Sequence, residues 1–93
     1  MLFRSAEVEA ALLRHPQVAS AAVIGLKDDE FGQRVHAVVE GRDGALDTAA
    51  LTAFLREHLV AAKVPRGIEF VDGPVRDDAG KVRRSALRAV RET

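Results

Sequence analysis

The succession of apolar runs and chain breakers predicts an α+β domain: a small three-stranded mixed β-sheet flanked by helices, in the order α-β-β-α-β-α. Three observations carry that reading. Apolar residues recur at helical spacing after Ser5 and again after Asp47, and two β-rich runs lie back to back between those stretches. A third β-rich run follows the second helix, which requires a crossover back to the same sheet. At 93 residues, 47% of them hydrophobic, the chain holds one core, so residues 1–93 form a single domain.

Taken in order, Ser5 is placed as the N-cap of the first helix, with Glu7 and Glu9 in the first turn, where carboxylates complement the helix dipole. Val8, Ala11 and Leu12 form its apolar stripe, and Pro16 stops it after Arg14-His15. Val18 to Gly25 reads as a strand buried on both faces, closed by the charged turn Lys27-Asp28-Asp29-Glu30 and by Gly32. Arg34 to Glu40 alternates, with Val35, Ala37 and Val39 on one side and His36, Val38 and Glu40 on the other; it is the antiparallel partner, followed by the turn Gly41-Arg42-Asp43-Gly44. Asp47 or Thr48 caps a second helix striped with Leu51, Phe54, Leu55 and Leu59, which closes near Lys63-Val64-Pro65. Gly67 to Asp72 is the third strand, broken by Gly73-Pro74. After a polar loop, Val82, Ala86, Ala89 and Val90 mark a last amphipathic helix.

Formal charge is zero but unevenly placed: residues 76–91 carry +4 and the remainder −4. An anion is therefore drawn to the carboxyl-terminal segment. With no Trp, no Tyr and four Phe, stacking platforms for nucleic acid are mostly missing, and a phosphate-bearing small molecule fits better. The chain has no cysteine, no apolar stretch long enough to span a bilayer and no basic-then-apolar leader, which points to a soluble cytoplasmic protein.

Within the basic segment, Gly80-Lys81 sits in the run Arg76-Asp77-Asp78-Ala79-Gly80-Lys81-Val82-Arg83-Arg84. A lysine after a turn glycine can swing a compact charge toward anionic oxygens; taken alone it also reads as a solvated turn residue. His15, His36 and His58 read as cap, strand and helix residues, since no paired acid or metal-ligand spacing accompanies them. Arg83, Arg84, Arg88 and Arg91 read as a solvated helix face.

Five stretches, in order and in register, resemble the carboxyl-terminal domain of the adenylate-forming superfamily, which includes acyl-CoA synthetases, peptide-synthetase adenylation domains and luciferases. They are Ala6-Glu7-Val8-Glu9; His15-Pro16-Gln17-Val18 with Ala21-Ala22-Val23-Ile24-Gly25; Phe31-Gly32-Gln33-Arg34-Val35; Lys63-Val64-Pro65-Arg66 with Glu69-Phe70-Val71-Asp72; and Arg76 to Arg84 with Leu87. The resemblance implies a mobile lid over a large amino-terminal adenylation domain. That assembly uses ATP and coenzyme A as substrates on a small-molecule carboxylic acid, with Mg2+ expected on the large domain. Lys81 matches the family's adenylation lysine. Arg66, with Lys63 beside it, matches basic residues that contact nucleotide phosphates of the thiol donor, and a solvated arginine opening a strand explains Arg66 equally well. Gly32 matches a glycine facing the thiol tunnel, a position that a turn glycine with positive φ explains equally well.

Two departures stand out: Val75 replaces a proline usual before the residue matching Arg76, and Ala62 stands where many relatives carry a stacking aromatic. The first bears on acetylation of Lys81, since that proline belongs to the sequence acetyltransferases read in some relatives. The phosphate loop, nucleotide contacts and hinge of the family precede the start of this chain, so the expectation is an excised or separately made lid, inactive alone. The first reading is the lid of a fatty acid–CoA ligase or related acyl-CoA synthetase. Alternatives are the lid of a peptide-synthetase adenylation domain and, from another class, an interaction module that binds a partner or nucleic acid through its basic last helix.

Overall fold

A computed structural model of the chain describes residues 5–28, 32–42 and 47–92. Its elements are α1 (Ser5–Leu13), β1 (Val18–Asp28), β2 (Gly32–Gly41), α2 (Thr48–His58), a 3-10 turn (Ala61–Lys63), β3 (Gly67–Val71) and α3 (Arg84–Arg91). The expected class and order are both present. The turn residues Asp29-Glu30 and Asp43-Gly44 lie outside the described residues. The three strands stand in the order β1-β2-β3, the first pair antiparallel and the second parallel, so the sheet is mixed. The parallel pairing follows from the crossover through α2.

Strand alternation divides the core into two layers. Ala21, Val23, Ala37 and Val39 face α1 and α2, packing with Val8, Ala11, Leu12, Leu51 and Leu55. Ile24, Leu26 and Val38 face the other way and are covered by Leu87 of α3 together with Val71 and Val75. β1 is thus buried on both faces, as its unbroken apolar run predicts.

Element ends differ from expectation for local reasons. β1 runs past Gly25 because pairing with β2 continues to Asp28 opposite Gly32, and Leu26 is buried. Lys27 is accommodated at the sheet edge, where its N–H donates to Glu92 Oε2 at 2.6 Å and its carbonyl accepts from Arg34 Nη1 at 2.8 Å. Asp47, not Thr48, caps α2, its Oδ1 accepting from the Ala50 N–H at 2.7 Å. That helix ends at His58 rather than near Lys63: Leu59 turns extended, and the 3-10 turn carries the chain to Pro65, before which Val64 is held extended.

The last helix needs the largest correction. Val82 lies ahead of it, bridged to Arg76, and Ala86, Ala89 and Val90 are exposed, Val90 by 73%. Leu87 supplies the apolar contact, and α3 holds to the sheet mainly through ion pairs described below.

Leu12 is fully buried whereas its neighbour Leu13 is 44% exposed. Leu12→Ala is expected to lower unfolding free energy by about 2–5 kcal/mol and Leu13→Ala by less than about 1 kcal/mol, as read from denaturant melts of the domain.

Candidate functional site

Lys81 stands on a short hairpin built from its neighbours' backbone. Arg76 and Val82 form an antiparallel bridge; the Asp77 N–H donates to the Lys81 carbonyl at 2.9 Å and the Gly80 N–H to the Asp77 carbonyl at 2.8 Å. The Asp77 side chain closes the turn from within, Oδ1 accepting from the N–H groups of Ala79 at 3.0 Å and Lys81 at 2.9 Å. The Lys81 N–H, more than any other group, holds the Asp77 carboxyl below the usual aspartate range, helped by Ala79 and Arg83. Gly80 turns the chain at φ +78, a conformation that side-chain-bearing residues rarely adopt.

Both backbone groups of Lys81 are therefore fixed while its side chain is exposed. Among the described residues no carboxylate pairs with its ammonium. It borders an open cleft of about 350 Å³ whose apolar wall is Val75, Leu87 and Val90 and whose rim carries Arg76 and Arg83.

Below the hairpin lies a carboxylate that sequence reading places only in a helix's first turn. Glu9 is 4% exposed, and Oε2 accepts from the Val23 N–H at 2.7 Å. Arg84 Nη2 donates to Oε1 at 2.7 Å and Oε2 at 2.6 Å, while its Nε donates to the Val23 carbonyl at 3.2 Å. Arg76 Nη2 lies 3.6 Å from Oε1. Glu9 and Arg84 are 75 positions apart, and no local spacing signals their contact.

A second internal pair corrects two further expectations. Glu69 on β3 accepts from Arg91 Nε and Nη2 at 2.7 and 2.6 Å and lies 3.0 Å from His36 Nε2, so His36 does have an acidic partner. The solvated face predicted for the last helix is also not found. Arg84 is bound to the buried Glu9, Arg91 to the partly exposed Glu69, and Arg88 is half-buried; Arg83 alone of the four is exposed, 3.5 Å from Asp77. Of the remaining histidines, His15 Nδ1 accepts from the Gln17 N–H at 3.0 Å as a cap, and His58 stacks on Phe54.

The other predicted site residues lie elsewhere. Arg66 is exposed at the entry to β3, its N–H donating to the Val35 carbonyl at 2.9 Å, and with Thr52 and Arg56 it lines a second cleft of about 320 Å³. Lys63 is held by Glu7, Nζ donating to its two carboxylate oxygens at 2.8 and 2.7 Å. Gly32 has φ +80 and open space around it, the geometry of a turn glycine. Lys81 and Arg66 thus border different clefts. Among the described residues no cluster of His, Asp or Glu is placed to hold a metal ion.

Residues 7–81 match the model of the AMP-binding enzyme C-terminal domain. The chain belongs to that family. It is 48% identical over 84 residues to a 2-succinylbenzoate–CoA ligase of Geobacillus kaustophilus, covering 89% of this chain and 17% of that protein. Over 76 residues it is 47% identical to a medium/long-chain-fatty-acid–CoA/3-oxocholest-4-en-26-oate–CoA ligase of Mycobacterium tuberculosis, covering 81% of this chain and 14% of the relative. Its fold superposes on a Mycobacterium tuberculosis fatty acyl CoA synthetase with a TM-score of 0.84 at 27% identity, over 92% of this chain and 17% of that one. This AMP-binding C-terminal domain therefore spans roughly a sixth of the length of the acid–CoA ligases it matches.

The Arg91 pairing, foremost, and His36 with it pull the Glu69 carboxyl from 4.5 down to about 2, against the opposing effect of burial. A folded-state value below the unfolded one stabilises the domain above about pH 4.5, and that contribution is lost as pH falls toward 2. Glu69→Gln is accordingly expected to flatten the acid limb of the stability profile between those values, measured by thermal melts across pH.

Proposed function

We propose that this domain supplies the adenylation lysine, Lys81, to an AMP-forming acid–CoA ligase of the acyl-CoA synthetase type. The supporting observation is the pairing of a fixed backbone with an exposed ammonium that no carboxylate holds among the described residues. In the reaction, a carboxylate oxygen of the acid attacks the α-phosphorus of ATP; a P–O bond forms, the bond to pyrophosphate breaks, and an acyl-adenylate results. Two anions must approach, and a compact cation between them offsets a repulsion that grows along the reaction path. The ammonium reaches outward from a hairpin that does not have to reorganise, which is the condition for electrostatic stabilisation to act.

The second half-reaction transfers the acyl group from the adenylate to the thiol of coenzyme A and releases AMP. Arg66, Lys63 and Gly32 are proposed for that step, with Arg66 and Lys63 toward the phosphates of the thiol donor. That Arg66 and Lys81 border different clefts fits a lid that presents one face per half-reaction. Lys63 must leave Glu7 to take part. Two partners are proposed, the amino-terminal adenylation domain and a carboxylic acid of the fatty-acid or related class, in a cytoplasmic enzyme. The ligase names of the relatives favour coenzyme A over a carrier protein as thiol source. The internal pairing of Arg84 and Arg91 disfavours a nucleic-acid module built on the last helix.

In a full-length ligase carrying this domain, Lys81→Ala should slow adenylate formation, followed as carboxylate-dependent pyrophosphate release, by roughly 100- to 1,000-fold. Thioester formation from supplied acyl-adenylate should persist. Equal losses in both half-reactions contradict the assignment.

A further inference from the structure

We infer that Arg76 is a positioning residue for Lys81, setting where the hairpin tip stands relative to the sheet; the inference rests on the adenylation role proposed for Lys81. The bonds of Asp77 to Ala79, Gly80 and Lys81 stay within residues 77–81 and determine the internal shape of the turn, and its longer contact, Oδ2 to Arg83 Nε at 3.5 Å, reaches an exposed side chain and not the sheet. They leave its direction undetermined. At the base, the Val75 N–H donates to Ser20 Oγ at 3.2 Å, which holds the start of the hairpin but not its tip.

Arg76 spans that gap. Its Nη1 donates to the Gly80 carbonyl at 3.0 Å, one residue before Lys81, and its Nη2 lies 3.6 Å from Glu9 Oε1. Glu9 in turn is immobilised by the Val23 N–H and by Arg84. Among the described residues, no other side chain runs a hydrogen bond or ion pair from residues 78–81 to the sheet or its helices; Asp77, which binds the Ala79 and Lys81 amides, reaches only as far as Arg83, the residue before α3. The planar fork suits the task, because one guanidinium can bind a carbonyl and a carboxylate through separate nitrogens, which a lysine ammonium does with poorer geometry. Glu9 is already paired at 2.6 Å by Arg84, so it tolerates loss of the longer Arg76 contact without being left as an unpaired buried charge. The Arg76 contact therefore aims the tip more than it stabilises the fold.

A full-length ligase carrying this domain tests the inference with Arg76→Met. The expected result is a roughly 10- to 100-fold fall in kcat for adenylate formation, the scale of a misplaced catalytic group. KM for ATP and the acid, thioester formation from supplied acyl-adenylate, and the melting temperature should be nearly unchanged, and Arg76→Lys should recover part of the rate. In the Lys81→Ala background, Arg76→Met should cost nothing further, because a positioning residue acts only through the group it positions. On the 93-residue chain, Arg76→Met should accelerate hydrogen exchange at the Lys81 amide while leaving core amides such as Val38 unaffected. Unchanged adenylation, a multiplicative loss in the double variant, or equal loss in both half-reactions overturns the inference. If Lys81→Ala itself leaves adenylation intact, the reading of Lys81 fails first, and the exchange measurement still reports whether Arg76 holds the tip.

Discussion

A carboxylate buried at the edge of a three-stranded sheet is the constraint on which the rest of this domain depends. Removed from water, Glu9 is tolerated only if its oxygens are fully engaged, and an uncompensated charge there costs several kcal/mol. The edge of β1 meets that demand because Val23 has an N–H and a carbonyl that β2 does not use. Glu9 takes the first, Arg84 takes the second, and the two side chains bind each other. An ion pair thereby occupies the place of a missing fourth strand, and the exposed edge is covered.

That edge pair also joins the two layers. α1 and α3 lie on opposite faces of the sheet, and the Glu9–Arg84 contact passes around the edge between them. At its other end α3 is held by Arg91 on Glu69 of β3, so a helix with no fully buried residue is fastened near both termini by guanidiniums. The basic charge of residues 76–91 is consequently divided: some cations hold the structure, while Lys81 and Arg83 face outward. The outward cation is available because other arginines pair with the buried Glu9 and the partly exposed Glu69.

Much of this is legible in the chain itself. Period-2 and period-3.6 patterns locate the strands and the first two helices, because Leu12, Leu51, Leu55, Ala37, Val39 and the β1 run all answer to one burial demand. Gly80 and Lys81 are visible because a glycine in a polar turn followed by a lysine is a local signal, and the glycine is indeed left-handed. Long-range charge pairs are not visible in this way. Glu9 reads as an ordinary helix carboxylate whether or not it is buried, and nothing near Arg84, Arg91 or His36 in sequence reveals carboxylates 75, 22 and 33 positions away. The last helix departs from expectation for the same reason: an arginine used as a fastener and a solvated arginine look alike in one dimension.

A double-mutant cycle on Glu9 and Arg84 tests the central claim most directly. Glu9→Gln and Arg84→Met should each lower unfolding free energy by about 2–4 kcal/mol, and the double variant should lose clearly less than the sum, with a coupling of at least about 1 kcal/mol. Losses that add to within about 0.5 kcal/mol would show that the two groups stabilise the domain independently, and the edge pair could not then be its keystone.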